Sequence, residues 1–301
     1  MDKKQIYNSV YGFAIGDACG VPYEFLDRDE CNCTDMIACN EDSMHQVGLG
    51  TWSDDTSLLL CILNALCEKK DNKIFEKYKK NCISWMYEGK FTADNDFPFD
   101  IGYACRRGIV SLKTGGKNYF ADDKMSNGNG GLMRILPIAF LDINTDDEIM
   151  KYINMFNSCS HNHIISNVGC LIYIKLIKNL ANGYSLKDSL IKLNIDDEYK
   201  IDYYRRIWDL SILDCEEQNI RSTGYVVDTL ESAIWALNNS KDYKSAIFTA
   251  INLGNDTDTI AGVCGGMAGI IYDIPDDLKD KLKNKKLIDE NILRFIKNKY
   301  L

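Results

Sequence analysis

Two short segments of the sequence combine hydroxyl and carboxylate side chains directly before apolar stretches. The first contains Ser53, Asp54 and Asp55, and the second is NDTDT at 255–259, near the other end of the chain. An ionised carboxylate is costly to remove from water without a partner, and no lysine or arginine occurs in 50–61. Two such clusters favour a shared cation. Hard divalent ions such as Mg²⁺ and Mn²⁺ take oxygen ligands of this kind.

Helix capping is the alternative explanation for part of each cluster. Ser53 is a good N-cap residue, and Asp54 and Asp55 in a first helical turn are favoured by the helix dipole. The apolar helix after the second cluster is built of small residues, so we expect it to be central and its N-terminus to be poorly solvated. Neither cluster matches the calcium-binding helix-loop-helix pattern. Capping and metal binding therefore both stay open from these residues alone.

A glycine-rich segment, SNGNGG at 126–131, precedes a helix that we predict to begin near Leu132. Glycines would let backbone N–H groups approach an anionic group at the positive end of that helix. An ordinary turn between helices is the alternative.

Isolated polar residues complete the set of candidates. The spacing of His161 and His163 does not place both on one helix face, so we expect one to hydrogen-bond a ligand at a helix start and the other to be exposed. The remaining histidine is His45. Asp100 is either an N-cap or a carboxylate that acts at a reacting or leaving group. Glu24 follows an apolar turn, where a carboxylate is less expected. The alternative to a functional role is that Glu24 is an exposed acid in a loop.

The elements that must position these residues are predicted to be helices. Apolar residues recur at helical spacing, and sustained alternation is scarce. The four prolines fall near predicted helix ends, and no repeat or linker divides the chain, so we predict one compact all-α domain over 1–301, an orthogonal helical bundle. The predicted helices lie near 4–18, 54–69, 73–88, 101–113, 131–141, 146–158, 162–182, 185–193, 199–211, 224–238, 242–252, 258–272 and 287–299.

Composition restricts the possible partners and compartment. The 301 residues include 44 acidic and 35 basic side chains, a net charge of -9 that argues against nucleic-acid binding. The N-terminal segment lacks the uninterrupted core of a secretory signal, and the apolar stretch 260–272 is too short to span a bilayer, so no membrane partner is expected. Most of the twelve cysteines sit singly in apolar patterns, and Cys31, Cys33 and Cys39 do not complete a zinc set. A cytoplasmic location is the better interpretation.

Taken together, the loop segments resemble the ADP-ribosylglycohydrolase family. The matching segments occur in family order from residue 12 to residue 275, and the ordered set is far more specific than any one of them. They are GFAIGDACGVPYEF, GTWSDDTSLLLC, DIGYACRRG, NGNGGLMRILPIAF, the Ser160-His161 pair, GYVVDTLESAIWAL and GNDTDTIAGVCGGMAGIIYDIP. The chain departs from the family at Ser53, where threonine is frequent, and at Gly131, where serine or alanine is frequent.

The resemblance implies an all-α bundle with two Mg²⁺ or Mn²⁺ ions in a central cleft. It implies the metal ligands Ser53, Asp54 and Asp55 on one side, Asp256, Asp258 and Thr259 on the other, and Glu24 as a further ligand or a movable gate. It also implies a diphosphate cradle at Gly128, Asn129, Gly130 and Gly131, a ribose or phosphate contact at His161, and Asp100 near the scissile bond. Asp100 or Glu24 would then assist proton movement.

The activity implied is hydrolysis of the glycosidic bond between ADP-ribose and a side chain of a modified protein. Arginine is favoured because Asp100 could face a guanidinium, and serine, a nucleobase or an ADP-ribose ester are the alternatives. A metal-dependent phosphoesterase is a rival because two-metal carboxylate sites also stabilise phosphoryl transfer. A protein that binds ADP-ribose or occupies a target without turnover is a rival of another class, disfavoured by the complete set of candidate ligands.

Overall fold

The computed structural model describes residues 1–116 and 123–299, and this part of the chain forms thirteen α-helices and no β-strand. The all-α prediction is therefore confirmed. The α-helices span Lys3–Gly20 (α1), Asp54–Ala65 (α2), Asp71–Glu88 (α3), Tyr103–Thr114 (α4), Asp146–Asn157 (α5), Ile164–Ala181 (α6), Leu186–Ile191 (α7), Arg205–Trp208 (α8), Val226–Asn238 (α9), Tyr243–Ile251 (α10), Thr257–Ile271 (α11), Asp276–Lys281 (α12) and Lys285–Lys299 (α13).

Local sequence signals set several helix ends. Asp2 forms a capping box with Gln5 at the start of α1. Helices α3 and α4 end at Gly89 and Gly115, whose φ angles of 69° and 74° lie in the left-handed region that favours glycine.

The predicted helix over 131–141 is wrong. The chain forms two short 3₁₀ segments there, Asn129–Gly131 and Leu136–Phe140. Pro137 has no amide N–H and its ring clashes with the preceding turn, so an α-helix cannot pass through it. The predicted helix over 199–211 is reduced to α8 and a preceding 3₁₀ turn, and α12 was not predicted.

Helices α1 and α11 pack with their backbones in direct contact at the centre of the fold. A Cβ atom added to Gly12 would lie 2.3 Å from the carbonyl oxygen of Gly265, and one added to Gly16 would lie 2.1 Å from that of Ala261. One added to Gly20 would lie 2.4 Å from Cα of Asp258. Glycine is therefore required along this face of α1, and the close approach brings the end of α1 against the acidic start of α11.

We expect Gly16→Ala to destabilise the protein strongly, because the added methyl group meets backbone atoms that cannot move aside. Overpacking in a core typically costs about 1–3 kcal/mol, and the free energy of unfolding should fall by at least that much. Urea unfolding followed by circular dichroism measures the change. Gly102→Ala is the matched control, since a Cβ there meets no atom of the described residues within 4 Å. Equal urea midpoints for Gly16→Ala and Gly102→Ala would contradict this explanation of the packing.

The remaining helices surround this pair. Tyr7 and Tyr11 of α1 donate hydrogen bonds of 2.9 and 2.8 Å to Asp289 of α13, which joins the two ends of the chain. Helix α6 is apolar and long enough to span a membrane on length and composition alone, but 72% of it is buried in the fold, as in the core helix of a globular protein. None of the twelve cysteines, all of which lie in the described ranges, forms a disulfide, and most are buried.

Candidate active site

The first acidic segment is held in place by a carboxylate that the sequence interpretation missed. Ser53 caps α2, its hydroxyl accepting from the backbone N–H of Asp55 at 3.2 Å. The fully buried Asp17 of α1 accepts from the backbone N–H of Ser53 at 2.9 Å. It also accepts from the backbone N–H and the hydroxyl of Thr56, at 3.0 and 2.5 Å. Asp17 therefore fixes the N-terminus of α2 against α1, with Asp54 in the first turn.

The second acidic segment begins α11. Asp256 precedes the first turn and accepts a hydrogen bond of 2.9 Å from the side-chain amide of Asn129. The hydroxyl of Thr257 donates to the carbonyl of Gly20 at 2.8 Å, which ties this segment to the end of α1. Asp258 lies in the first turn and is fully buried.

The two segments meet at one cleft of about 340 Å³. The Thr259 side chain stabilises the ionised forms of both Asp55 and Asp256, so these carboxyl groups from α2 and α11 are neighbours. The predicted site residues that line the cleft are Glu24, Asp54, Asp55, Asp100, Gly128, Asn129, Gly130, His161, Asp256 and Thr259. Ser53, Gly131 and Asp258 lie behind its surface: Ser53 faces an adjoining cavity, and Gly131 packs against Asn157 and Ser166.

The buried acids lack the partners that would explain them as structural groups. Asp55 Oδ2 and Asp258 Oδ2 accept no hydrogen bond from any group in 1–116 or 123–299. Within the same ranges, no lysine or arginine forms an ion pair with Asp54, Asp55, Asp256 or Asp258. Burial, reinforced by neighbouring carboxylates, raises the pKa of Asp54, Asp55 and Asp258 well above the usual range. Unpaired carboxylate and hydroxyl oxygens in this arrangement fit hard divalent cations. The ligand assignments themselves stay predictions.

Glu24 and Asp100 meet at a histidine that the sequence interpretation left without a role. His45 Nε2 lies 2.6 Å from Glu24 Oε2 and 3.7 Å from Asp100 Oδ1. Backbone hydrogen bonds between 25–26 and Asn255 hold Glu24 beside the start of α11. Burial and nearby carboxylates raise the pKa of Glu24 to about 10 and that of Asp100 to about 7, and burial lowers the pKa of His45. These three side chains could hold or move a proton at the cleft wall.

The glycine-rich segment is anchored to the chain that precedes α9. The backbone N–H of Asn129 donates to the carbonyl of Gly224 at 2.9 Å, and the N–H of Val226 donates to that of Asn127 at 3.0 Å. The glycine-rich segment is followed by 3₁₀ turns and not by the predicted α-helix, so the expected helix dipole is absent. Binding of an anion here would depend on the close approach to the backbone that Gly128 and Gly130 allow. His161 is buried and lines the cleft, whereas the half-buried His163 caps α6, so neither is the exposed residue expected.

The rim of the cleft is apolar. Phe25, Tyr103 and Met125 line it and are 56%, 74% and 90% exposed. These surfaces are available to a bound molecule or to the protein that carries it. A larger cavity of about 570 Å³ between the ends of α1, α6 and α13 contains none of the predicted site residues.

We expect the metal-free protein to lose stability as the pH rises. In the folded protein the pKa of Glu24 is about 10 and that of Asp100 is about 7, whereas both are near 4 in the unfolded chain. The folded state therefore binds more protons than the unfolded state does. This stability is present at low pH and is lost as the pH rises through the folded pKa. In a chelator, the melting temperature should fall between about pH 5.5 and about pH 8. Mg²⁺ or Mn²⁺ should restore it, most strongly at the higher pH. A melting temperature indifferent to both ions at that pH would contradict the metal centre.

The fold and the site together define a helical protein with an acidic cleft, suited to divalent cations, between two helix N-termini. The chain belongs to the ADP-ribosylglycohydrolase family, whose model matches residues 2–300. The family and the names of its relatives make it a hydrolase of glycosyl bonds to ADP-ribose.

Named relatives and a solved structure agree with this membership. The chain is 28% identical over 296 residues to the ADP-ribosylarginine hydrolase Tri1 of Serratia proteamaculans (strain 568), covering 93% of this chain and 75% of the relative. It is 25% identical over 285 residues to the ADP-ribosyl-[dinitrogen reductase] glycohydrolase of Rhodospirillum rubrum, covering 91% and 88%. A solved ADP-ribosylglycohydrolase-related protein complex has the same fold, with a TM-score of 0.78 at 23% identity over 99% of this chain and 98% of that one.

Proposed function

We propose that this protein releases ADP-ribose from arginine side chains of modified proteins, with two Mg²⁺ or Mn²⁺ ions in the cleft. The observation that carries the proposal is the meeting of buried carboxyl groups from α2 and α11, which have no lysine or arginine partner among the described residues, beside a glycine-lined wall. Two relatives, from Serratia proteamaculans and Pseudomonas putida (strain GB-1), are named ADP-ribosylarginine hydrolases, which supports arginine as the modified residue.

The ions would be held by oxygen atoms from both helix starts and from the 3₁₀ turn that follows α1. The residues concerned are Glu24, Ser53, Asp54, Asp55, Asp256, Asp258 and Thr259. Bound there, divalent cations supply Lewis acidity and lower the pKa of a coordinated water. Two such ions would also neutralise most of the charge that these carboxylates carry when ionised.

The chain's own residues would orient the sugar and move the proton. Gly128, Asn129 and Gly130 would let the diphosphate approach the backbone, with His161 as a further contact. In the reaction the C1''–N bond breaks, the oxygen of water bonds to C1'', and the leaving guanidine gains a proton, while the proton that the water loses replaces the one given to the guanidine. Asp100, whose burial raises its pKa and so favours the protonated form, would deliver the proton to the guanidine, with Glu24 and His45 beside it.

The test compares substrates that differ only in the modified group. Proteins ADP-ribosylated on arginine or on serine, and ADP-ribosylated nucleic acid, are incubated with the protein in Mg²⁺, in Mn²⁺ or in chelator. Mass spectrometry should find intact ADP-ribose from the arginine substrate, and only with a divalent ion. Release of AMP would instead indicate a phosphoesterase. Release from serine or nucleic acid alone would overturn the arginine assignment. Tight binding without release would mean a protein that occupies its target.

A further inference from the structure

A buried arginine beneath the glycine wall has no acidic partner. Arg134 is 1% exposed, and no carboxylate in the described ranges forms an ion pair with it. Its guanidinium donates to Ser160 Oγ at 2.6 Å and to Asn157 Oδ1 at 3.4 Å, and it contacts Cys105 Sγ at 3.8 Å. Burying a cation among neutral groups is costly. A structural role alone would be served better by an apolar side chain of similar volume.

The hydroxyl of Ser160 connects this arginine to His161. Ser160 Oγ lies 2.9 Å from His161 Nδ1. A guanidinium can only donate, so it uses a lone pair of the hydroxyl oxygen, and the single hydroxyl proton is left to donate elsewhere. The thiol of Cys159 donates to Ser160 Oγ at 3.8 Å, and its sulfur is only a weak acceptor. An unprotonated imidazole nitrogen is the strongest acceptor within reach of that proton, which favours His161 Nδ1 as the acceptor.

This direction of hydrogen bonding fixes which histidine nitrogen carries the proton. If Nδ1 accepts, the neutral imidazole carries its proton on Nε2. That nitrogen faces the glycine wall: a Cβ added to Gly130 would lie 3.0 Å from Nε2, and one added to Gly128 would lie 3.5 Å from it. Burial and the Arg134 charge lower the pKa of His161 to about 3, so the ring is neutral at physiological pH.

We propose that Arg134 and Ser160 are positioning residues that hold His161 as a neutral Nε2–H donor aimed at an oxygen atom of the ligand in the cleft. The ligand class is a nucleoside diphosphate ribose, and this identity rests on the proposed function above. The uncompensated charge of Arg134 polarises the chain of hydrogen bonds toward the ligand, which strengthens the donor toward an anionic oxygen. The glycines beside it leave room for that oxygen, since a side chain at Gly130 would contact the imidazole.

Nuclear magnetic resonance can read the tautomer directly, because the chain has only three histidines. With selectively ¹⁵N-labelled histidine, His161 should show the Nε2–H tautomer throughout the neutral pH range. Ser160→Ala should abolish the fixed tautomer, and Ser160→Thr, which keeps the hydroxyl, should preserve it. An Nδ1–H tautomer in the wild-type protein would overturn the proposal without any variant being needed.

Binding provides the second measurement. By calorimetry, Ser160→Ala should weaken ADP-ribose binding about tenfold, the effect of one lost hydrogen bond to a charged group, and Ser160→Thr should rescue it. Ser158→Ala, which changes an exposed serine two positions away, is the matched control and should bind as the wild type does. Wild-type affinity in a folded Ser160→Ala protein would overturn the positioning role. If the wild-type protein itself bound no ADP-ribose, the proposed function would fail. The tautomer of His161 could still be measured without the ligand and would still test the roles of Arg134 and Ser160.

Discussion

Replacing Asp55 by asparagine should reduce ADP-ribose release to an undetectable level while raising the melting temperature of the metal-free protein. Its Oδ2 atom accepts no hydrogen bond within the described ranges, and Asp17 and Asp256 reinforce the burial that raises its pKa. Asparagine keeps the size but removes the charge that a cation would need. Without a cation, the buried carboxyl group must stay ionised without a partner or take up a proton on folding, and either costs stability. Asp54→Ala and Asp256→Ala should likewise abolish turnover with the fold retained.

The matched control is Asp146→Asn, a buried aspartate that does have a cationic partner. Asp146 is 3% exposed and forms an ion pair with Lys175, so its loss leaves the partly buried Lys175 ammonium without a counter-charge. We expect a lower melting temperature and normal turnover, the opposite of Asp55→Asn on both measurements. Calorimetry and release of labelled ADP-ribose with Mn²⁺ measure the two quantities. A lower metal-free melting temperature in Asp55→Asn, or near-normal turnover, would reject the metal assignment.

The sequence was sufficient to find the acidic segments but not to show how they are held. Capping residues and carboxylates at the starts of α2 and α11 are local patterns, and local patterns can be recognised along a chain. Asp17 carries no such signal, since it is a single aspartate inside an apolar helix. Its role depends on α1 packing against the start of α2, which is a tertiary contact.

The failures of the sequence interpretation have the same physical origin. His45 lies in a loop without periodicity, and its contacts with Glu24 and Asp100 join positions that are 21 and 55 residues away along the chain. The wrong helix over 131–141 came from reading apolar spacing without the restriction that Pro137 imposes. By contrast, the small residues of α11 correctly indicated close packing, because only glycine permits the approach that α1 makes.

Replacing Asp100 by asparagine should lower kcat by about a hundred- to ten-thousand-fold, the range typical of general acid–base catalysis. Asp100 lines the cleft, and its burial raises its pKa, which favours a protonated carboxyl group. Asparagine cannot deliver a proton to the leaving guanidine. Because Asp100 is not among the proposed metal ligands, divalent ions should still raise the melting temperature of this variant. Asp100→Asn would then lose activity but keep the stabilisation by divalent ions, whereas Asp55→Asn would lose both.

The pH dependence of turnover tests whether a proton on Asp100 is the cause. In the wild-type protein kcat should fall as the pH rises through the pKa of this acid, because its protonated form is the reactive one. In Asp100→Asn that fall should disappear and the residual rate should be level. Asp94→Asn, an acid of the same segment paired with Lys283, controls for the loss of negative charge and should keep both the rate and its pH dependence. A similar pH dependence in Asp100→Asn would assign the proton transfer to another group at the cleft wall, with Glu24 the first to be examined.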